Sequence, residues 1–141
     1  MMDKSYIKAI ELLHKASSEK GFLASAENIT NYKRVWARDG VICGLSALLD
    51  GDEILINSFK NTLHTLANHQ HELGHIPSNL YFKENNEVEV SFGGLAGRVD
   101  TISWFIIGVC NYCWLLNDDE LLDELLPNIQ KGFQLLEAWE F

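Results

Sequence analysis

Two stretches, residues 40–50 (GVICGLSALLD) and 101–116 (TISWFIIGVCNYCWLL), are apolar on every side of a helix, and each precedes a helix apolar on one side only. A helix that is hydrophobic all round has to be surrounded. After the first, Leu55, Phe59, Leu63 and Leu66 form a stripe against Asn57, Lys60, Asn61, His64 and Asn68, over residues 52–73. After the second, Leu121, Leu122, Leu125, Ile129, Phe133 and Leu136 oppose Asp119, Glu120, Asp123, Glu124 and Glu137, over residues 118–138. The joints match almost letter for letter, Leu48-Leu49-Asp50-Gly51-Asp52-Glu53 against Leu115-Leu116-Asn117-Asp118-Asp119-Glu120. Each offers an Asp at the start of the next helix, where a carboxylate caps open N–H groups. The pattern is a repeat of helical hairpins, one buried inner helix and one half-exposed outer helix per unit.

A pair of hairpins cannot enclose its own inner helices. A closed ring of inner helices wrapped by outer ones satisfies the pattern. A short solenoid fits less well, because the long irregular stretch 74–97 separates the hairpins. Within it, Tyr81-Phe82-Lys83 and Val88-Glu89-Val90-Ser91-Phe92 flank Glu84-Asn85-Asn86-Glu87, which predicts a β-hairpin. Upstream, Tyr6, Ile10, Leu13 and Ala16 predict an amphipathic helix over residues 3–19, with Gly21 as its stop. Residues 22–36 are predicted as loop with short extended pieces. The expected class is all-α, a helical-hairpin repeat with a small β-hairpin insertion.

The 141 residues suffice for one domain, with 47% apolar and 22% charged residues as in ordinary globular chains. A net charge of −9 repels phosphate backbones and anionic lipid, so neither nucleic acid nor a membrane surface is an expected partner. Met1-Met2-Asp3-Lys4 has no apolar run behind basic residues, so no signal peptide is expected. The longest apolar run, Ile102 to Leu116, holds Ser103 and Asn111 and falls short of the ~20 residues of a bilayer span. The 3 cysteines, Cys43, Cys110 and Cys113, sit in apolar helical patterns, an odd count that points to reduced thiols and a cytoplasmic location. Cys110-Asn111-Tyr112-Cys113 matches C-x-x-C but lies deep in an apolar helix, away from redox or metal context.

Two sites of different chemistry compete. The first is a pair of motifs opening the inner helices, Val35-Trp36-Ala37-Arg38-Asp39-Gly40 and Gly97-Arg98-Val99-Asp100. Charges at the ends of buried helices are costly unless they are paired or face a ligand. A carboxylate accepting sugar hydroxyls, an Arg donating to them and a Trp face stacking on a pyranose compose a sugar subsite. The alternative is that Arg38, Asp39, Arg98 and Asp100 only cap helices and pair with each other.

The ordered set Tyr32–Asp39 (YKRVWARD), Gln70…Gly74-His75-Ile76-Pro77-Ser78 and Gly97-Arg98-Val99-Asp100…Trp104-Phe105 resembles the six-hairpin glycosidases: glucoamylases, debranching-type glucosidases and neutral invertases. The similarity spans roughly residues 22–139. It implies an (α/α)6 barrel of which residues 1–141 are the N-terminal part, truncated at the C-terminus, with the rest of the barrel as partner. It implies hydrolysis of an α-glucosidic or similar bond in a carbohydrate, without a cofactor. By the same resemblance Arg38 and Asp39 hold the sugar, Trp36 walls the pocket, and Arg98, Asp100 and Trp104 lie near it. Hydrolysis in such enzymes uses an acid and a base carboxyl. The resemblance implies that the acid comes after this segment and the base far later; Glu140 closes an outer helix and is misplaced for the acid, and Asp100 is no more than the least unsuitable stand-in within the chain. On that reading the chain holds the sugar-binding mouth and is inactive alone.

The second site is His71-Glu72-Leu73-Gly74-His75, an H-E-x-x-H string. In zinc peptidases both histidines ligate the metal from one continuous helix and the Glu activates its water. Here Gly74 and Pro77 interrupt any such helix, and Ser78 and Tyr81 stand where an extended motif wants Gly and His. Glu87 or Glu89 would have to be a remote third ligand. A non-catalytic helical interaction module is the remaining reading. His14 and His64 are expected on solvated faces without chemical roles. The glycine-rich run Gly93–Gly97 is expected to turn the backbone into Arg98.

Overall fold

The structure, a computed structural model, describes residues 3–27, 33–94 and 98–140, and within these the chain is mostly helical. Tyr32, Leu95, Ala96 and Gly97 of the motifs above lie outside the described residues. The side chain of Val99 does as well.

Helix α1 (Lys4–Ala16) is capped by Asp3, whose carboxylate accepts the Ser5 N–H at 3.1 Å. It ends before residue 19 because Ser17–Ser18 (β1) turns away to pair antiparallel with Gly21–Phe22 (β2). Gly21 is therefore not a helix stop. It sits at φ +114° against Thr62, where any Cβ would overlap that residue. The Thr62 hydroxyl accepts the Phe22 N–H at 2.9 Å and donates to Ser58 O at 3.0 Å, locking β2 to the helix below.

The predicted hairpin forms from β4 (Asn79–Phe82) and β5 (Val88–Ser91), with Phe82 opposite Val88. A third strand, β3 (Val35–Trp36), pairs antiparallel with β4 through Val35↔Leu80 and Trp36↔Asn79. Two residues carry no periodicity, so this strand left no pattern in the sequence.

Four longer helices follow the expected order: α2 (Ala37–Asp50), α3 (Glu53–Asn68), α4 (Val99–Leu116) and α5 (Asp119–Ala138). Helix α2 packs against both α3 and α4, and α4 packs against α5. The α3 stripe of Leu55, Phe59, Leu63 and Leu66 is wholly buried against Val41, Ala47, Ile102, Phe105 and Val109. Each such side chain contributes about 1.5–3 kcal/mol. Gly44 of α2 admits the Phe59 ring so closely that a Cβ would overlap it. On α5, Leu121, Leu125 and Ile129 are buried, but Phe133 of the expected stripe is exposed.

The two joints share one construction. Gly51 (φ 85°) and Asn117 (φ 52°) end α2 and α4 in the left-handed conformation, and Asp52 and Asp118 cap the next helices. The register is one residue off the letter match, since Gly51 aligns with Asn117 rather than with Asp118. Asn is the non-glycine residue best suited to positive φ, which is why it replaces Gly there. Each capping Asp also takes a side chain from the preceding outer helix: His14 of α1 on Asp52 at 3.1 Å and Lys60 of α3 on Asp118 at 3.0 Å. His14 is thus a tether, not an idle solvated residue. His64 likewise meets Glu124 of α5 at 3.3 Å.

As expected for two hairpins, the helices apolar all round are not enclosed: Ile42 and Leu49 of α2 are 46% and 86% exposed, and Ile107 and Trp114 of α4 are 41% and 76% exposed. No helix is long and apolar enough to cross a membrane among the described residues.

Candidate functional site

The site is organised by the segment Ile76-Pro77-Ser78, which stitches the starts of α2 and α4 together. Ser78 O accepts the Ala37 N–H at 3.0 Å, and Ile76 O accepts the Thr101 hydroxyl at 2.9 Å. The Ser78 N–H in turn donates to Ser91 O at 2.7 Å, anchoring the segment to β5. Ser78 and Thr101 are buried. Thr101 was not singled out from the sequence and Ser78 was named only within its motif, because the hydrogen bonds from Ala37 to Ser78 and from Thr101 to Ile76 span more than twenty residues.

On this scaffold Arg38 Nη1 meets Asp100 Oδ2 at 3.1 Å. The ion pair joins the two motifs rather than closing within either one. Asp39 and Asp100 occupy the first turns of α2 and α4, where the helix dipole favours a carboxylate. The N-cap residues, Trp36 and Arg98, make no side-chain cap. The pair is 53% and 40% exposed, so it contributes at most about 1 kcal/mol and can exchange partners with a ligand at small cost.

The other candidate residues spread around this pair. Asp39 lines a cavity of about 600 Å³ under α1, with Leu12, Leu13, Leu23 and Cys43. Burial, and then the Asp39 charge, pushes the Cys43 thiol above its usual range. Trp36 is half-buried, and its Nε1 is buried without a hydrogen-bond partner among the described residues. Arg98 lies across Gly93, which sits at φ +85° and leaves room for its side chain; the rest of the run expected to turn the backbone, residues 95–97, lies outside the described residues. Trp104 packs against the hydrophobic core. Glu140 is exposed just past α5.

The H-E-x-x-H string is not helical. Helix α3 stops at Asn68, and the His71 N–H reaches His75 O at 2.9 Å across a turn, with Gly74 at φ +105°. The turn replaces the single helical face from which both histidines would ligate zinc. Glu87 pairs with Lys83, and Glu89 pairs with Lys83 and Arg34. The lysine holds the Glu89 carboxyl below its usual range. No group of three metal-ligating side chains occurs among the described residues. Of the C-x-x-C pair, Cys110 is exposed, whereas Cys113 is buried with its thiol pushed up to about 11, chiefly by burial.

The same turn builds an arrangement the sequence did not announce. His71 and His75 pack edge-on with Phe92, and His75 packs edge-on with Trp139 at 5.2 Å between ring centres. The turn is fixed to α5 by Gln70, whose amide donates to Gly74 O and Asn128 O, both at 3.0 Å, and accepts from Asn128 Nδ2 at 2.9 Å. Burial, with a smaller effect from His71, lowers the His75 pKa, and its Nδ1 is buried without a partner among the described residues. The histidine turn runs directly into Ile76-Pro77-Ser78, the segment that joins the starts of α2 and α4. Compared with known proteins, the chain matches no family model and no curated protein.

Proposed function

We propose that the end of the chain carrying Arg38 and Asp100 is the sugar-binding mouth of a glycoside hydrolase acting on an α-glucosidic or similar bond. The observation that carries this reading is the Arg38–Asp100 pair, which links both motifs at the starts of adjacent helices and stays half-exposed. Its guanidinium and carboxylate are matched to the donor and acceptor needs of vicinal hydroxyls. Asp39 follows Arg38 in the first turn of α2, and Trp36 precedes that helix at the end of β3. The second support is the open apolar flank of α2 and α4, which further hairpins of an (α/α)6 ring would cover. The likeness of the two joints agrees with a repeating unit.

The test is to read the coding DNA past the codon for Phe141 and assay its product on α-glucosides. Further hairpins, with activity falling at least a hundredfold in Arg38→Ala, support the reading, a loss of the size expected for a positioning residue. A frame that stops at Phe141, or full activity in Arg38→Ala, overturns it.

A further inference from the structure

We propose that the cavity between the β1–β2 turn and strand β4 is a binding site for a small organic phosphate ester, gripped by Lys20 and Lys33. The site is separate from the proposed sugar mouth: neither Arg38 nor Asp100 lines it, and it does not depend on the sugar reading.

The cavity holds about 240 Å³, room for a compact ligand rather than a dinucleotide. Leu23, Tyr81 and Phe82 give it apolar and aromatic walls, while Lys20 and Lys33 set two cations against one carboxylate, the exposed Glu84. That balance reverses the chain as a whole, in which 20 acidic residues oppose 11 basic ones. The neighbouring cations are spoken for: Arg34 pairs with Glu89, and Lys83 pairs with Glu87 and Glu89. Lys20 and Lys33 share one cavity and have no ion-pair partner among the described residues. The field of an acidic chain turns anions away from most of its surface, so an anion is held best where unpaired cations gather.

Both lysines are carried on fixed backbone. Lys20 stands in the β1–β2 turn, its N–H donating to Ser18 Oγ at 3.2 Å and its carbonyl accepting the Thr65 hydroxyl of α3 at 2.7 Å. Its ammonium rests 5.3 Å from the centre of the Phe82 ring, against the aromatic wall. Lys33 comes just before β3, where Val35 is registered on Leu80 and bridged to Leu23. The Ser18 hydroxyl already donates to Gly21 O at 2.7 Å, so the polar part of a ligand falls to the two ammonium groups. Two point charges suit a dianion, and the aromatic wall suits an organic body. A phosphomonoester supplies both, whereas a carboxylate brings a single charge.

Calorimetric titration of the chain with phenyl phosphate, inorganic phosphate and benzoate tests the site. Phenyl phosphate is expected to bind about tenfold more tightly than either of the others, because inorganic phosphate lacks the ring and benzoate the second charge. Lys20→Gln and Lys33→Gln are each expected to weaken its binding about tenfold, as loss of one charge-assisted hydrogen bond would. Lys131→Gln, which removes the same charge from an exposed position on α5, should leave the affinity unchanged. Lys20 and Lys33 are exposed, so helical circular dichroism should be the same in all three variants and the parent. Failure of the parent chain to bind phenyl phosphate overturns the proposal. An equal loss in Lys131→Gln does so too, since net charge alone would then govern binding, as does benzoate or inorganic phosphate binding as tightly as phenyl phosphate.

Discussion

Asp118 serves two helices at once: Oδ1 accepts the Leu121 N–H at 3.0 Å and caps α5, while Oδ2 receives the Lys60 ammonium of α3 at 3.0 Å. Both interactions hold its carboxyl below the usual range, the backbone hydrogen bond foremost. Asp118→Ala is expected to lower unfolding free energy by about 1–2 kcal/mol, as for loss of a helix cap. Lys60→Ala, which removes a half-exposed ion pair and a 6.0 Å cation–π contact with Tyr112 but no helix cap, should cost no more than about 1 kcal/mol. Urea denaturation of both variants measures the difference.

Gly74 fixes the turn that carries the histidines. Its φ of +105° is strained for any side chain, and a Cβ would overlap Lys131 O of α5. Gly74→Ala should cost about 1–3 kcal/mol and free the turn from α5. Amide hydrogen exchange should then accelerate at His71 and Gly74, whose N–H groups are bonded within the turn, while α2 and α3 stay protected.

Lowered from its ordinary 6.5, the His75 pKa makes stability depend on pH. The unfolded chain takes up a proton at His75 as pH falls through about 6.5, while the folded chain resists it. Stability from this group is thus fully present above the unfolded value and is lost as pH falls from there toward the folded value. His75→Phe keeps a ring but does not titrate, so its stability should vary less between pH 7 and 5. Thermal melts across that range, compared with the parent chain, give the answer.

The thiols should separate by burial. Cys110 is exposed, and Cys113 is buried with its thiol near 11, so at pH 8 a disulfide reagent should label Cys110 rapidly and Cys113 only on unfolding. Equal labelling rates in the folded chain would contradict this placement.

Helix order and the buried stripe of α3 were legible because burial imposes a period on the sequence, and the β4–β5 hairpin because a polar turn separates two extended runs, although β5 itself is mostly exposed. The stripe from Leu55 to Leu66 repeats every three to four residues. The want of enclosure was legible too. Apolar residues all round α2 and α4 state that neighbours are needed, not that these residues supply them, so Leu49 and Trp114 stand exposed. Of the candidate site, the residue types at the starts of α2 and α4 were readable. The choice of partner was not, because Arg38 reaches Asp100 across 62 positions and Trp139 meets His75 from the far end of the chain. The histidine string was misleading for a related reason. Five letters fix a spacing, but Gly74 at positive φ bends the backbone that the spacing assumes is helical.

The two capping aspartates carry a consequence for the order in which the chain is built. His14 precedes Asp52, and Lys60 precedes Asp118, so each cap's outside ligand lies on a helix made before the joint itself. A ribosome releasing the chain from its N-terminus presents every new corner with a finished side chain able to grip it. The caps therefore give assembly a direction, with each hairpin fastened by the helix that came before.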